Sequence, residues 1–313
     1  MSQESYFVYQ KKEQGICIIR CYAKESRILI PDTIEGMPVT ELAPYAFAAQ
    51  MEEEPENPGD FPCICGESLE ELILPKSILR IGRYVFYNCW NFWHFSFYSN
   101  IAYIGSGSFT GCKKLSHLSL QEVEEQKPCL REVLEELNQT VKVFWQRERE
   151  CAALFPAFFE EAVENTPARI IETHTHGVGI QYRNAFKNTR MNWKEYDRLF
   201  EVGKYNMERA ESIYVTLYRL RYPVELEGEA REEYDFYLRN HIKEAAEVLS
   251  EQGEKALLFW MAEHFVETQR ELELILQVVQ QDIEAVSFLM DLGHNRFYHK
   301  KDGTKKEKRG FSL

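Results

Sequence analysis

The sequence lacks a long apolar run and a recognisable leader. No segment approaches the roughly 18 consecutive apolar residues that a membrane span needs, so we expect no membrane association. The first ten residues, MSQESYFVYQ, contain no basic stretch followed by a long apolar core, and no secretion signal is predicted. A cytoplasmic protein is therefore expected, or a cell-surface protein if a signal has been trimmed.

Signature motifs of catalysis are also missing. The sequence contains no P-loop, no dinucleotide fingerprint, no kinase motif set and no Gly-x-Ser-x-Gly turn. Basic residues are outnumbered, with 37 Lys and Arg against 50 Asp and Glu and a net charge of −13. Nucleic-acid binding uses a basic surface and is not expected. We predict neither an enzyme nor a cofactor from these features.

An internal repeat dominates the first half of the chain, with a period of about 23 residues that falls in the range of leucine-rich repeats. The first full copy has its apolar positions at Leu72, Leu74, Ile78, Ile81, Phe86 and Cys89. The second copy has them at Phe95, Phe97, Ile101, Ile104, Phe109 and Cys112, and a third begins at Leu115, Leu118 and Leu120. Leu-x-x-Leu-x-Leu at this period is typical of such repeats, whose coils stack because one coil cannot bury its own apolar side.

Each copy predicts one short strand that ends at or near a turn. Leu72 and Leu74 alternate with Glu71 and Ile73, which is the period of a strand with one buried face. Pro75 ends the strand because proline cannot donate a ladder hydrogen bond.

The repeat resembles the bacterial cell-surface (BspA-like) leucine-rich repeat, with the consensus Leu-x-x-Leu-x-Leu-Pro-x-x-Leu-x-x-Ile-Gly-x-x-Ala-Phe-x-x-Cys. An earlier copy matches it at Ile28, Ile30, Pro31, Val39, Leu42, Ala46 and Phe47. The resemblance covers about residues 5–125 and implies a curved right-handed solenoid for protein or surface recognition, without catalytic residues. Ahead of it, residues 6–9 and 16–19 predict a hairpin that caps the first coil.

The outward strand positions form the predicted binding surface. Two columns follow from the repeat offset: Glu71, His94 and His117 in one, and Ile73, Ser96 and Ser119 in the other. Trp93 adjoins them, near Trp90 and Tyr98, and exposed aromatic residues favour a protein contact. A histidine column beside a glutamate is also compatible with a metal or pH-sensing site, and ordinary polar surface is the simpler interpretation.

Cysteine usage predicts reduced thiols. Cys89 and Cys112 occupy the same repeat position, which favours core packing over disulfide pairing. Cys63 and Cys65 form one C-x-C pair without the second pair of a typical zinc site. They lie in an acidic insertion over about residues 50–66, which is either a binding loop or a solvated connection.

The second half is predicted to be helical. Apolar spacing from Leu130 to Phe144 indicates an amphipathic helix or an irregular last coil, and Leu154 to Val163 indicates one helix. Further helices are predicted at Trp193–Val202, Met207–Arg221, Arg231–Ser250, Glu254–Phe265, Glu271–Val279 and Ile283–Leu292. The last two hairpins echo each other, with Leu249 corresponding to Val279 and His264 to His294. They resemble degenerate ankyrin-type or other α-solenoid pairs.

One stretch has a chemical character. His174 and His176, two positions apart, follow a predicted helical stretch at residues 168–172 and precede a glycine-rich turn. Such a pair serves as metal ligands in hydrolases, although histidines in a loop that ends a helix more often bond locally. The tail at residues 299–313 is basic and predicted to be flexible.

The sequence as a whole predicts an α+β protein in three parts. These are a leucine-rich repeat domain with a hairpin cap at residues 1–125, an all-α solenoid-like domain at 126–298, and the tail. The predicted function is a noncatalytic scaffold that binds one or two protein partners through the repeat surface and the helical domain. The alternatives are a metal-dependent enzyme with a site at His174 and His176, and a surface adhesin.

Overall fold

The computed structural model describes residues 5–57, 59–123, 129–146, 150–165 and 170–298. The predicted tail at 299–313 lies outside the described residues. The described chain divides into two compact units, the first reaching Met207 and including Tyr222–Leu226, the second comprising Glu208–Arg221 and the chain from Glu227. The predicted fold class is confirmed, since a leucine-rich repeat β-solenoid is followed by a helical region.

The described part of the first unit contains the strands and three α-helices. The strands are β1 (Ser5–Lys12), β2 (Gly15–Ala23), β3 (Arg27–Leu29), β4 (Thr33–Ile34), β5 (Met37–Leu42), β6 (Glu71–Ile73), β7 (Arg80–Ile81), β8 (His94–Tyr98), β9 (Tyr103–Ile104), β10 (His117–Gln121), β11 (Val141–Gln146), β12 (Cys151–Phe155), β13 (Phe159–Asn165), β14 (Ile170–His176), β15 (Phe186–Lys187) and β16 (Arg190–Met191). The helices are α1 (Leu130–Glu135), α2 (Gly179–Arg183) and α3 (Trp193–Gly203), and a 3-10 turn spans Gly66–Ser68.

Two sheets form the walls of the solenoid. The front sheet has the order β12-β11-β10-β8-β6-β3, and the back sheet has the order β1-β2-β5-β7-β9 with β4 beside β5. Their coils are joined through tight turns, where Gly82 and Gly105 lie against the backbone of the preceding coil. The coils that contain β3, β6 and β8 each contribute a second strand to the back sheet, namely β5, β7 and β9, and each coil shares its core with its neighbours.

The core is a set of apolar columns in strict register. Across the front sheet one such column consists of Ile28, Leu72, Phe95, Leu118 and Val143, all of them fully buried. Phe86 is also fully buried, with its ring centroid 5.1 Å from that of Phe92 and 5.3 Å from that of Phe109. Full burial of one such side chain contributes about 1.5–3 kcal/mol, so each added coil stabilises the next.

The predicted hairpin cap is confirmed. Strands β1 and β2 are antiparallel, with Lys12 opposite Gly15 at the turn. Strand β2 then runs parallel to β5, where Ile16 pairs with Val39. The hairpin thus occupies the first edge of the back sheet, which an uncapped coil would leave open.

The predicted helix from Leu130 to Phe144 is wrong in its second half. Helix α1 ends at Glu135, and β11 then pairs in parallel with β10. Val141, Val143 and Trp145 are buried in alternation, which is a strand period, so the alternative of a last coil is confirmed. The proposed boundary at residues 125 and 126 falls inside the first unit, because the front sheet continues beyond it.

The predicted helices at 154–163 and 168–172 are also wrong. Strand β12 returns antiparallel along β11 and ends before Pro156, and β13 pairs antiparallel with β14. Leu154 and Phe155 belong to β12, Phe159 and Val163 belong to β13, and Phe158 lies in the connection between the two strands. Their helical spacing is therefore coincidental. Residues 168 and 169 lie outside the described chain.

The second unit is helical, as predicted. Its helices are α4 (Arg209–Arg221), α5 (Gly228–Asn240), α6 (Ile242–Glu251), α7 (Lys255–Phe265), α8 (Gln269–Val278) and α9 (Ile283–Gly293), followed by a π-helical turn at His294–Tyr298. The single helix predicted at Arg231–Ser250 is two helices, because His241 breaks it with φ −123° and ψ 30°. Helix α6 packs on α8 and α7 on α9, with the Phe259 and Phe288 rings stacked at 4.2 Å. Successive hairpins are therefore stacked, while their ankyrin-like character stays a prediction.

Candidate binding face

The exposed side of the front sheet carries two columns of side chains, which we call the front face. In register across β3, β6, β8, β10 and β11, the first column is Arg27, Glu71, His94, His117 and Lys142, and the second is Leu29, Ile73, Ser96, Ser119 and Phe144. All of these residues are exposed or half-buried. The predicted columns of Glu71, His94 and His117, and of Ile73, Ser96 and Ser119, are confirmed as geometry.

Four members of the front face were not predicted. Arg27 and Leu29 lie almost two repeat periods before their neighbours in the columns, because the acidic insertion interrupts the repeat. Lys142 and Phe144 lie slightly more than one period after theirs. The alternation Arg-Ile-Leu at 27–29 and Val-Lys-Val-Phe at 141–144 was the available signal.

His94 joins the two columns. Its Nδ1 is 3.4 Å from the Glu71 carboxylate, and its Nε2 is 2.9 Å from the Ser119 hydroxyl oxygen. In the neutral ring, Nδ1–H donates to Glu71 and Nε2 accepts from Ser119; in the protonated ring both nitrogens donate. Arg27 Nε lies 3.5 Å from the same Glu71 carboxylate. The centre of the front face is therefore an ordered polar network whose side chains are already positioned.

An indole ring borders this network. Trp93 is 37% exposed, with its centroid 5.2 Å from the His94 ring and 5.3 Å from the His117 ring, edge-on to the latter. The Nδ1 of His117 is 3.0 Å from the Ser116 hydroxyl oxygen. Trp90, which precedes Trp93 in the same coil, is 52% exposed. Large, rigid aromatic side chains beside fixed polar groups are typical of the residues that contribute most of the binding energy in protein–protein interfaces.

The front face offers hydrogen-bonding groups, side chains of both charges, and a second column in which three apolar residues flank the pair Ser96 and Ser119. His174 and His176 lie elsewhere, both exposed on β14. His174 Nε2 is 3.6 Å from Glu172, and His176 Nε2 is 3.2 Å from Glu161. Within the described ranges, no group of three or more His, Cys, Asp or Glu side chains is arranged to hold a metal ion. The metal-site prediction thus rests on two histidines, each of which lies near a glutamate.

The acidic insertion is fastened to the cap hairpin. Arg20 on β2 is fully buried, and its guanidinium pairs with the Glu54 carboxylate, with Nε 2.9 Å from Oε2. The Tyr22 hydroxyl donates to the Pro55 carbonyl oxygen at 3.1 Å, and the Ile64 amide donates to the Cys21 carbonyl oxygen at 2.9 Å. The described part of the insertion is therefore held against the cap hairpin by these contacts.

Comparison with known proteins identifies the repeat region. Residues 63–127 match the family model described as "BspA type Leucine rich repeat region (6 copies)". No curated protein sequence matches the chain. The resemblance of the repeats to that family is thereby confirmed for this segment, and repeats of this class typically mediate binding.

Two solved structures are each similar to part of this chain. A leucine rich cell surface protein from Faecalibacterium prausnitzii is 20% identical over 39% of this chain and 31% of that chain, with a TM-score of 0.26. The Treponema pallidum leucine rich repeat protein is 23% identical over 37% of this chain and 69% of that chain, with a TM-score of 0.22. This chain thus spans less than a third of the first of them. Over the described residues, none of the helices is both long enough and apolar enough to cross a bilayer.

Proposed function

We propose that the chain is a noncatalytic scaffold that binds a protein partner through the front face. The observation that carries the proposal is the register of five strands, which holds ten outward side chains in two ordered columns. His94 is fixed between Glu71 and Ser119 before any partner arrives. A preorganised surface loses little side-chain entropy on binding, so its contacts are converted into affinity more efficiently.

The helical unit is proposed as a second contact surface. Its stacked hairpins leave large apolar side chains exposed: Phe236 is 67% exposed, Met290 is 61% exposed and Ile283 is 85% exposed. Phe236 lies on α5, and Ile283 and Met290 both lie on α9. Exposed apolar groups on the helices of a stacked array suit a helical or extended partner segment. Cytoplasmic location stays a prediction.

The test is retention of partners from native lysate by the full chain and by matched variants. The double variant Ser96→Arg with Ser119→Arg places bulk and charge in the second column without touching the core. The control Tyr103→Arg alters a side chain that is 46% exposed on the back sheet. We expect a partner held by the wild type and by Tyr103→Arg to be retained at least about tenfold less by the double variant, a difference of about 1.4 kcal/mol.

Two results would contradict the proposal. The first is equal retention of every partner by all three proteins, given melting temperatures that agree. The second is the absence of any partner that the wild type retains above a matched unrelated protein. Met290→Glu in the same assay reports on the helical unit, since a loss confined to that variant assigns the contact there.

A further inference from the structure

Two of the eight cysteines differ from the rest in their surroundings. Cys63 and Cys65 are half-buried, whereas the other six are buried: Cys17, Cys21, Cys89, Cys112, Cys129 and Cys151. The pair flanks Ile64, which is 3% exposed, and Cys65 has extended backbone angles of φ −155° and ψ 159°. Alternate residues of an extended segment point to the same side, so the two thiols share the side opposite the buried isoleucine.

A buried cation lies beside this pair. The Arg20 guanidinium donates hydrogen bonds to the carbonyl oxygens of Tyr45 at 3.0 Å and Ala48 at 2.9 Å as well as to Glu54. Its positive charge lies close enough to act on both Cys63 and Cys65. Because Arg20 is held by backbone carbonyls, it remains in place whatever the state of the thiols.

The two thiols are electrostatically unequal. A hydrogen bond from the Cys63 thiol lowers the pKa of Cys65 to about 7, and the Arg20 charge acts in the same direction. The same hydrogen bond, together with burial, raises the pKa of Cys63. Burial raises the pKa of Cys21, Cys112 and Cys129 to about 12. Cys65 is therefore the more acidic of the two thiols and the one that forms a thiolate more readily, next to a thiol that can resolve it.

We propose that Cys63 and Cys65 form a reversible dithiol–disulfide site, in which Cys65 attacks a peroxide and Cys63 completes the disulfide. In the first step the Cys65 thiolate attacks one oxygen of hydrogen peroxide, the O–O bond breaks, Cys65 becomes a sulfenic acid, and the leaving hydroxide takes a proton from solvent to become water. In the second step the Cys63 sulfur displaces hydroxide from the Cys65 sulfenic acid, and the proton of Cys63 makes it a second water. The two cysteines lose two electrons and the peroxide gains them.

The position of this disulfide makes it easy to reduce. Two rises of about 3.3 Å place the α-carbons of alternating residues about 6.6 Å apart in an extended chain, near the upper limit for a disulfide. Closing the bridge therefore shortens a segment that is held by two backbone hydrogen bonds, each 2.9 Å long. The Ile64 amide, between the two cysteines, donates to the Cys21 carbonyl oxygen, and the Gly66 amide, directly after them, donates to the Phe47 carbonyl oxygen. A bridge that works against these bonds is readily opened by a small dithiol. The proposal does not depend on the proposed function of the front face.

The first test is mass spectrometry of the folded full chain. Reduced protein is treated with a small excess of hydrogen peroxide, alkylated and digested. We expect the peptide that carries residues 63–65 to lose two hydrogens and to escape alkylation, and dithiothreitol to restore both. The six buried cysteines are the internal control and should stay unmodified until the chain is unfolded. In Cys63→Ser, we expect Cys65 to stop at a sulfenic acid that dimedone captures.

The second test is the pH profile of Cys65 alkylation by iodoacetamide. The groups that face this thiol are Cys63 and Glu54 on the insertion, Arg20 and Tyr22 on β2, and Cys89 in the core. The wild type should reach half its maximal rate near pH 7, and Cys63→Ala, which removes the hydrogen-bond donor, should move the midpoint toward the ordinary thiol value of about 8.5. At pH 7 the wild type should react about threefold faster, since the larger thiolate fraction outweighs the lower nucleophilicity.

Two outcomes would overturn the proposal. One is a Cys65 midpoint at about 8.5 or above in the wild type, which would mean that the Cys63 hydrogen bond does not activate it. The other is peroxide treatment that leaves the peptide at residues 63–65 alkylatable, or that oxidises it only to sulfinic acid in the presence of Cys63.

Discussion

The Cys112 thiol donates a hydrogen bond of 3.1 Å to the carbonyl oxygen of Phe86, in the coil before it. Cys89 makes the same bond, also 3.1 Å, to the carbonyl oxygen of Phe47. The repeated cysteine therefore links neighbouring coils as well as filling space. A thiol is small enough for this position and polar enough to bond a carbonyl that faces the core.

Removal of this thiol should destabilise the solenoid. We expect Cys112→Ala to lower the free energy of unfolding by about 1–2 kcal/mol, because a hydrogen bond and a buried sulfur are both lost. Urea denaturation followed by circular dichroism measures the change. Lys113→Ala, at an exposed neighbouring position, serves as control and should leave the unfolding midpoint within error.

Gly105 should be intolerant of a side chain. A Cβ at this residue would lie 2.6 Å from the α-carbon of Arg83 and against its amide nitrogen, and backbone cannot move aside as a side chain can. We expect Gly105→Ala to cost about 2 kcal/mol or more through overpacking of adjacent coils. Gly228→Ala is the control, since a Cβ there meets no atom within 4 Å. Equal melting temperatures for the two variants would contradict the close coil contact.

Arg183 should stabilise the first unit although it forms no part of a binding site. It is buried, and its guanidinium donates to four main-chain carbonyl oxygens, those of Leu137, Gln139, Pro156 and Gly179. Arg183→Met leaves these acceptors without that donor, and we expect a loss of about 3–5 kcal/mol. Arg190→Met changes an exposed arginine nearby and should be close to neutral by the same calorimetric or denaturant measurement.

Acid should weaken the last hairpin through Asp282. A hydrogen bond from Lys255 holds the pKa of this carboxyl below its usual value of 3.8, helped by the amides at the start of α9. A carboxyl with a lowered folded-state pKa stabilises the fold above its unfolded-state pKa, and the contribution disappears as pH falls through the lowered value. The melting temperature should therefore decline more steeply below about pH 4 in the wild type than in Asp282→Asn.

Asp282→Asn is a sharp comparison because asparagine remains a good helix N-cap, so only the charge is removed. Parallel melting curves for the two proteins between about pH 6 and pH 2 would contradict the assignment to this carboxylate.

The solenoid was predictable from sequence because its signal is periodic. The repeat offset placed His94 between Glu71 and His117 in the correct column. Where the period is interrupted, as between Arg27 and Glu71, the offset has no predictive value, and the column members beyond the interruption were missed. Register across an insertion depends on hydrogen bonds such as that from Ile64 to Cys21, which sequence does not display.

The hairpin of β13 and β14 escaped prediction for a different reason. Over residues 161–164 and 171–177 both of its faces are exposed, so it has no buried side to impose an alternation of apolar and polar residues. The apolar residues from Leu154 to Val163 instead matched a helical spacing by chance. Cys63 and Cys65 were noticed as a pair, but Arg20 lies far before them in the sequence, and only the fold brings it to the thiols.

Strand β12 runs antiparallel on the last parallel strand of the front sheet, and the hairpin of β1 and β2 covers the first edge of the back sheet. Between these two ends, loops such as the acidic insertion vary in length, but strands can be added or removed only with whole coils, because a slip of one residue would turn the outward side chains of a strand into the core. Each coil gained would widen the front face by one strand spacing of about 4.8 Å. The width of the front face thus changes by one strand spacing for each coil. That spacing is shorter than two residues of an extended chain, which span about 6.6 Å.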